Sequence, residues 1–431
     1  WLKELFACVP PSLRSPMRVA TAFFAGVQAG SLQEDYQKVL NDVVAWANAN
    51  GDDLAIQLGW VSQDETFAVA SGQVSDRGAR RAVTTQDTWL YGSGTKPVTA
   101  VAVMRLVDAG VIKLNDTLAE HVDPMLRRDN GTSVAELFGD TMSTATVGQV
   151  VRMAAGIPDF EDGVGDPFDR EVIKEGDQEW PVYSFIRYAA KEKPYCTPGQ
   201  CTAYSSTGYE LLGLVVAAHQ SGVATYADMN LTAAALPDST RMPSLRFLGE
   251  QGPLTQALTT PGQAVNPMWG TGVVVQNQSA SVLGWTCGNM VGGAQDVAQF
   301  FWDLLGPSDS KLVTADSLAF MRKYEPMTVG WGKSIHLRYG GGLMASQLAF
   351  RPVLNRTGWG FYEGHGGETY GFSSSQGFLP VAQAAFSVVT NTDNVTYSAV
   401  AACRMVVALA ANRGERIDLG CGHSTERDVL V

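Results

Sequence analysis

Apolar and polar residues alternate near both ends of this 431-residue chain but not in its middle. Runs near 54–61 and 65–71 read as a hairpin, and runs near 341–349, 370–379 and 384–390 as further strands, because successive side chains of a strand point to opposite faces. From about 112 to 290 the pattern is instead loops and helical stretches, at 181–190 and 207–219. Helices are expected at 35–50, 294–305 and 396–412. The first and last parts of the chain therefore share one sheet. The expected fold is α/β, of the α+β type, with a sheet domain made of 30–111 and 291–431 and an all-helical insertion domain, 112–290. A functional site belongs in the cleft between them. With 45% hydrophobic residues the chain can bury a large core, and it contains no internal repeat, no low-complexity tract and no run of eighteen apolar residues.

The stretch TWLYGSGTKPVTAVAVMRLVDAG places Ser93 and Lys96 three residues apart where a helix is predicted to begin. Such positions share a helix face, so the Lys96 amine lies against the Ser93 hydroxyl and can accept its proton. The unpaired N–H groups and positive dipole end of the helix stabilise an alkoxide at Ser93 and an oxyanion beside it. The run Val98, Ala100, Val101, Val103, Met104, Leu106 and Val107 recurs at helical spacing and stops at Gly110, which predicts a buried, rigid helix. By itself S-x-x-K also describes a capping serine with a solvated lysine. Ser308–Lys311 repeats the pattern after Gly306-Pro307, in a stretch with the composition of a loop. Two later segments add to the first copy. YCTPGQCTAYSSTGYELLGLVVAA sets Tyr204 between a Pro-Gly turn and an apolar helix, and GWGFYEGHGGETYGFSSSQGFLP sets His365 among glycines between strand-forming segments. Singly, Tyr204 also reads as a core tyrosine and His365 as a histidine closing a Gly-rich turn.

In this order the three segments resemble the motifs of the serine β-lactamase-related superfamily, which includes class C β-lactamases, D-Ala-D-Ala carboxypeptidases, D-aminopeptidases and β-lactamase-like esterases. The resemblance runs from about 35 to about 412. LAIQLGWVSQDETFAVASGQVS is similar to the family's opening hairpin, TVGQVVRMAAGIPDFED to the segment that usually reads LLTHTSGLPDY, and MVGGAQDVAQFFWDLL to the helix that re-enters the sheet domain. The resemblance implies a β-lactamase/transpeptidase-like fold with a central antiparallel sheet flanked by helices. It also implies Ser93 as acylated nucleophile, Lys96 as proton acceptor, and Tyr204 as a phenolate-like base whose pKa Lys96 lowers. His365 stands where class C β-lactamases carry the lysine of K-T-G. The oxyanion hole would be the backbone N–H groups of Ser93 and Glu368, with Ser206, Gly366 and Gly367 against the substrate.

The departures from the family pattern concern the substrate. A lysine at the third motif is a permanent cation suited to a substrate carboxylate, whereas histidine is mostly neutral at pH 7. Glu368 adds negative charge nearby, and the whole chain carries a formal net charge of −12. Both disfavour an anionic substrate. Ser206 replaces the amide of the family's Tyr-x-Asn motif with a shorter hydroxyl. The expected activity is a two-step serine hydrolase acting on a small-molecule ester or compact amide, most like the family's esterases. A D-amino-acid peptidase or β-lactamase, and a non-catalytic secreted binding protein, are the alternatives.

Met17-Arg18 followed by VATAFFAGVQA reads as a signal segment, residues 1–29, cleaved after Ala29, which sets the protein in the secretory pathway. Asn115, Asn130, Asn230, Asn277, Asn355 and Asn394 each begin a glycosylation sequon. Cys196 and Cys201 bracket the Pro198-Gly199 turn at bridging distance, Cys403 and Cys421 form a second candidate pair, and Cys287 and Cys8 remain. Cys421 and His423 with Cys403 make too poor a ligand set for a metal, and DFEDGVGDPFDRE (159–171) lacks calcium-loop spacing. No metal or cofactor is expected. No basic patch with interleaved aromatics suggests nucleic acid, and no transmembrane segment is expected.

Overall fold

The structure, a computed structural model, describes residues 31–76, 79–161, 178–249, 279–350 and 358–421. The signal-like segment with Cys8, most of the acidic loop, Asn277, Asn355 and His423 lie outside the described residues. The helices that position the site are α1 (Leu32–Ala49), α2 (Lys96–Asp108), α3 (Leu118–Asn130), α4 (Val182–Ala189), α5 (Ser206–His219), α6 (Trp285–Gly288), α7 (Ala294–Leu305) and α8 (Val395–Asn412). The strands are β1 (Ala55–Ser62), β2 (Thr66–Asp76), β3 (Ala79–Ala82), β4 (Trp89–Leu90), β5 (Arg246–Phe247), β6 (Met290–Gly292), β7 (Glu325–Pro326), β8 (Arg338–Tyr339), β9 (Met344–Gln347), β10 (Phe361–Thr369), β11 (Phe372–Leu379) and β12 (Ala384–Thr390). α1 begins earlier than its periodicity indicated, because Ser31 and Glu34 cap each other's backbone N–H at 3.3 and 3.0 Å.

Nine strands form one sheet in the order β3-β2-β1-β12-β11-β10-β9-β8-β7, with antiparallel neighbours throughout. β1 pairs with β12, so the two ends of the chain do share a sheet, with Leu58 opposite Val388. One face is covered by α1 and α8: Ile56, Leu58, Trp60, Phe386 and Val388 pack with Tyr36, Leu40, Val400 and Val406, all buried. α8 is long and apolar enough to cross a membrane, but here it lies on the sheet beside α1. Its Cys403 is bonded to Cys421.

The opposite face receives α7 and the insertion. Gln57, fully buried, joins the two: its amide donates to the Thr84 and Asp87 carbonyls at 2.9 and 3.2 Å and accepts from the Ala294 N–H that opens α7 at 2.6 Å. The middle of the chain supplies α3, α4 and α6, which gather with α2 around α5. It also contributes β5, which joins β4 and β6 in a small second sheet that the helical pattern of the sequence concealed. The strand carrying His365 is a second difference. The sequence suggested a histidine among turn-forming glycines, whereas His365 lies mid-strand in β10, opposite Gln376 of β11.

Candidate active site

Ser93 sits in a single 3-10 turn, Gly92–Thr95, and α2 begins at Lys96. In a 3-10 turn residues three apart eclipse one another. Lys96 Nζ accordingly donates to Ser93 Oγ at 2.9 Å. Every residue from Lys96 to Met104 is buried, so the base of the turn is rigid. Lys96 has no exposure at all, and its ammonium also donates to the Cys287 carbonyl of α6 at 3.4 Å.

Tyr204 is delivered by a loop fixed at both ends. The Cys196–Cys201 disulfide closes its start, the Ala203 N–H donates to the Met153 carbonyl at 2.8 Å, and Ser205 caps α5 through the Gly208 N–H at 3.1 Å. The Tyr204 side chain faces Ser93 and Lys96, which both act on its hydroxyl, and Lys96 Nζ lies 4.9 Å from the ring centroid. Ser93, Lys96 and Tyr204 therefore lie together.

His365, fully buried in β10, lies beside Tyr204. Its Nδ1 is 2.5 Å from the Gly366 carbonyl and its Nε2 is 3.1 Å from Tyr339 Oη. A carbonyl only accepts, so Nδ1 carries the proton and Nε2 accepts from the Tyr339 hydroxyl. Both ring nitrogens are thus occupied. The ring centroids of Tyr204, Tyr339 and His365 lie 5.6 to 6.2 Å apart, and the Tyr204 ring is met edge-on by Trp331, which is 43% exposed.

β9 stops opposite Gly364, which leaves the following residues of β10 with an unpaired edge, and the Gly92–Thr95 turn packs there. A Cβ on Gly92 would stand 2.3 Å from the Glu368 carbonyl oxygen, and one on Gly367 2.0 Å from that of Tyr91. The backbones of Ser93 and Glu368 are held side by side by this approach. Gly366 and Gly367 are buried in the same stretch. Ser206 opens α5 with its N–H on Asp159 at 2.9 Å; it is fully enclosed, and its Oγ has no hydrogen-bond partner among the described residues. Ser308 and Lys311, the second S-x-x-K, fall outside this site: Lys311 pairs instead with Asp303, 3.3 Å away.

The electrostatics correct one expectation. Burial raises the Tyr204 phenol, and although Lys96 pulls it down, the net direction is up. Burial works against the Lys96 ammonium, but Tyr204, Cys287 and Glu161 outweigh it, so Lys96 is also raised. The resting pair holds both protons at neutral pH. Burial, and then Lys96, lower His365 to about 3. An unfolded histidine binds a proton near pH 6.5 and this one does not. The unfolded state therefore gains protons first, and His365 removes stability as pH falls from about 6.5 toward 3, by about 1.4 kcal/mol per pH unit. In an NMR titration its ring resonances should stay fixed between about pH 5 and 8. A His365 midpoint near 6.5 would contradict this geometry.

The sequence did not reveal Tyr339, which donates to His365 Nε2 from the two-residue strand β8, or the Cys287 carbonyl that holds Lys96. Cys287 itself is a buried free thiol. Among the described residues no group of three His, Cys, Asp or Glu side chains comes together as for a metal.

Comparison with known proteins bears on the family and the fold. The Beta-lactamase family model matches residues 43–410. Penicillin-binding protein 4 of Amycolatopsis lactamdurans is 30% identical over 283 residues, 61% of this chain; the chain spans just under two thirds of that relative's length, 66%. Among solved structures, D-amino acid amidase from Ochrobactrum anthropi SV3 superposes with a TM-score of 0.67 at 20% identity, over 89% of this chain and 99% of that one. D-stereospecific amidohydrolase from Streptomyces sp. gives 0.62 at 19%, over 84% and 94%. With a family match over most of its length and a fold shared along nearly the whole of these neighbours, the chain belongs to the Beta-lactamase family.

Proposed function

We propose that the protein is a serine hydrolase that cleaves a small ester or compact amide lacking a carboxylate near the scissile bond, through an acyl-Ser93 intermediate. The observation that carries this reading is the contact of Ser93 Oγ with Lys96 Nζ at 2.9 Å, with the Tyr204 ring centroid 4.9 Å from the same ammonium. Once the Lys96–Tyr204 pair has lost one proton to solvent, Ser93 Oγ attacks the carbonyl carbon and its proton passes to the pair. The oxyanion is met by the Ser93 and Glu368 N–H groups, and the pair returns the proton to the leaving oxygen or nitrogen. Water then releases the acyl group by the same route.

Three features favour an uncharged substrate. His365 is neutral with both nitrogens engaged, so it offers a carboxylate neither charge nor a free donor. Glu368 is solvent-exposed, yet the protein around it and then Asp393 push its carboxyl up to about 7, so it repels an anion only where the pH is high enough to ionise it. Trp331 presents an exposed apolar ring beside Tyr204. A second reading, hydrolysis of D-amino-acid amides, draws on the fold shared with the amidases named above and is chemically close, since such amides also lack a carboxylate.

The test is turnover of uncharged aryl and alkyl esters, D- and L-amino-acid amides, and a penicillin by the same preparation. The ester reading requires ester turnover well above that of the D-amides; faster D-amide hydrolysis moves the assignment to the second reading, and penicillin turnover above both overturns it. Because the base is available only after the raised pair loses a proton, kcat/KM should climb with pH into the alkaline range. A secretory setting fits the two disulfides and the exposed sequons Asn115, Asn230 and Asn394; Asn130 is half-buried. Protein from a secreting eukaryotic host that runs unchanged after glycosidase treatment would count against glycosylation.

A further inference from the structure

Lys96 is held from a second side. Its Nζ donates to the Cys287 carbonyl, and three residues along α2 the Thr99 hydroxyl donates to the Thr286 carbonyl at 2.6 Å. α6 is therefore what steadies the ammonium from behind. α6 is in turn fixed by buried side chains. Thr286 Oγ1 lies 2.8 Å from the Tyr209 carbonyl, 2.5 Å from Tyr226 Oη and 3.3 Å from Glu210 Oε2, and Tyr226 Oη lies 3.1 Å from the same Glu210 oxygen. Glu210 and Thr286 have no exposure and Tyr226 almost none. The acyl-transfer steps above make no use of this carboxyl.

A count of protons decides its state. Each hydroxyl has one proton to give, and a carbonyl has none. If Glu210 is ionised, the Tyr226 and Thr286 hydroxyls have two protons for three contacts, Tyr226 with Oε2, Tyr226 with Thr286, and Thr286 with the Tyr209 carbonyl. Whichever way the protons point, one of the three is left as acceptor against acceptor, which is costly where no water can intervene. If Glu210 carries a proton on Oε2, it donates to Tyr226, Tyr226 to Thr286, and Thr286 to the Tyr209 carbonyl. Every contact in that chain then has one donor.

We propose that Glu210 is a positioning residue for Lys96, a neutral carboxylic acid that starts a one-way hydrogen-bond chain through Tyr226 and Thr286 to the helix presenting the Cys287 carbonyl. The carboxyl is accordingly pushed up to about 8, burial outweighing the downward pull of Cys287, Tyr226, Lys96 and Thr286. The titratable groups around it are Lys96 from α2, Tyr209 from its own helix, Tyr226 and Cys287, with Tyr204 and Glu161 coupled to Lys96. Glu210 Oε1 lies beside the Cys287 thiol and has no hydrogen-bond partner meeting normal geometry among the described residues.

The inference rests on Ser93 and Lys96 forming an acylating pair, so the readout is the rate at which a fluorophosphonate labels Ser93, followed by intact mass on the full chain from about pH 6 to 9. Glu210→Ala and Tyr226→Phe should slow labelling by on the order of 10²-fold, the size of effect expected from displacing a catalytic group by about an ångström. Glu210→Gln, whose amide donates to Tyr226 as the acid does, should restore most of that loss. As pH passes about 8 the wild type should fall behind the glutamine variant, because ionised Glu210 can no longer donate. If Glu210→Ala does not fold, near-isosteric Tyr226→Phe decides the matter. A glutamine variant as slow as the alanine one would mean that the carboxylate charge is needed, and wild-type rates in all three variants would remove Glu210 from the account. Absence of labelling in the wild type would overturn the hydrolase reading itself, and the inference with it.

Discussion

Lys96→Met should lower the rate of Ser93 acylation by about 10³-fold while leaving the melting temperature unchanged or higher. The two effects have one cause. The ammonium is fully enclosed, and its hydrogen bonds go to Ser93 Oγ and the Cys287 carbonyl. Removing a cation from water costs several kcal/mol, and a methionine of similar length removes that cost. What the variant loses is a partner for one buried carbonyl, a penalty of roughly 1–3 kcal/mol that offsets much of the gain. Catalysis has no such compensation, because a thioether cannot take the Ser93 proton. Calorimetry and labelling kinetics on the same sample check this. A strongly destabilised variant, or one that still labels at the wild-type rate, would show that Lys96 has a structural role instead.

Gly92→Ala should be nearly as damaging by a different route, slowing acylation by on the order of 10²-fold and destabilising the fold by roughly 2 kcal/mol. Gly92 has φ +48, and a Cβ there would lie 2.3 Å from the Glu368 carbonyl oxygen. The nucleophile turn must then move away from β10, which separates the Ser93 and Glu368 N–H groups. Because the loss falls on the charged transition state, kcat should drop far more than KM rises. An active Gly92→Ala enzyme with unchanged kcat would mean that the oxyanion is stabilised elsewhere.

The elements that the sequence disclosed best are those whose job is packing. α7 and β12 lie at the residues their periodicity indicated, Ala294–Leu305 and Ala384–Thr390, since each buries one regular apolar face or a continuous apolar run. β10 was hidden for the reason that makes it functional. Gly364 and Gly367 admit backbone oxygens of Gln376 and Tyr91 to 2.0 Å from where a Cβ would be, and that approach requires residues that weaken a strand signal. Within the site, Ser93, Lys96, Tyr204 and His365 were legible as motifs. Tyr339 was not, because a single tyrosine in a two-residue strand has no pattern around it. Glu210 did leave a trace, a lone carboxylate inside the run GYELLGLVVAA, where a helix otherwise buries only apolar and small groups. The expected sign of the Tyr204 shift failed because the pull of Lys96 is visible in a motif and the depth of burial is not.

The central claim is that Ser93 is an activated nucleophile, and intact mass after exposure to a fluorophosphonate tests it most directly, with Ser93→Ala as control. The geometry of Ser93, Lys96 and Tyr204 calls for one adduct on the wild-type chain and none on the variant. A wild-type chain that remains unlabelled, or an adduct that persists in Ser93→Ala, would contradict the account.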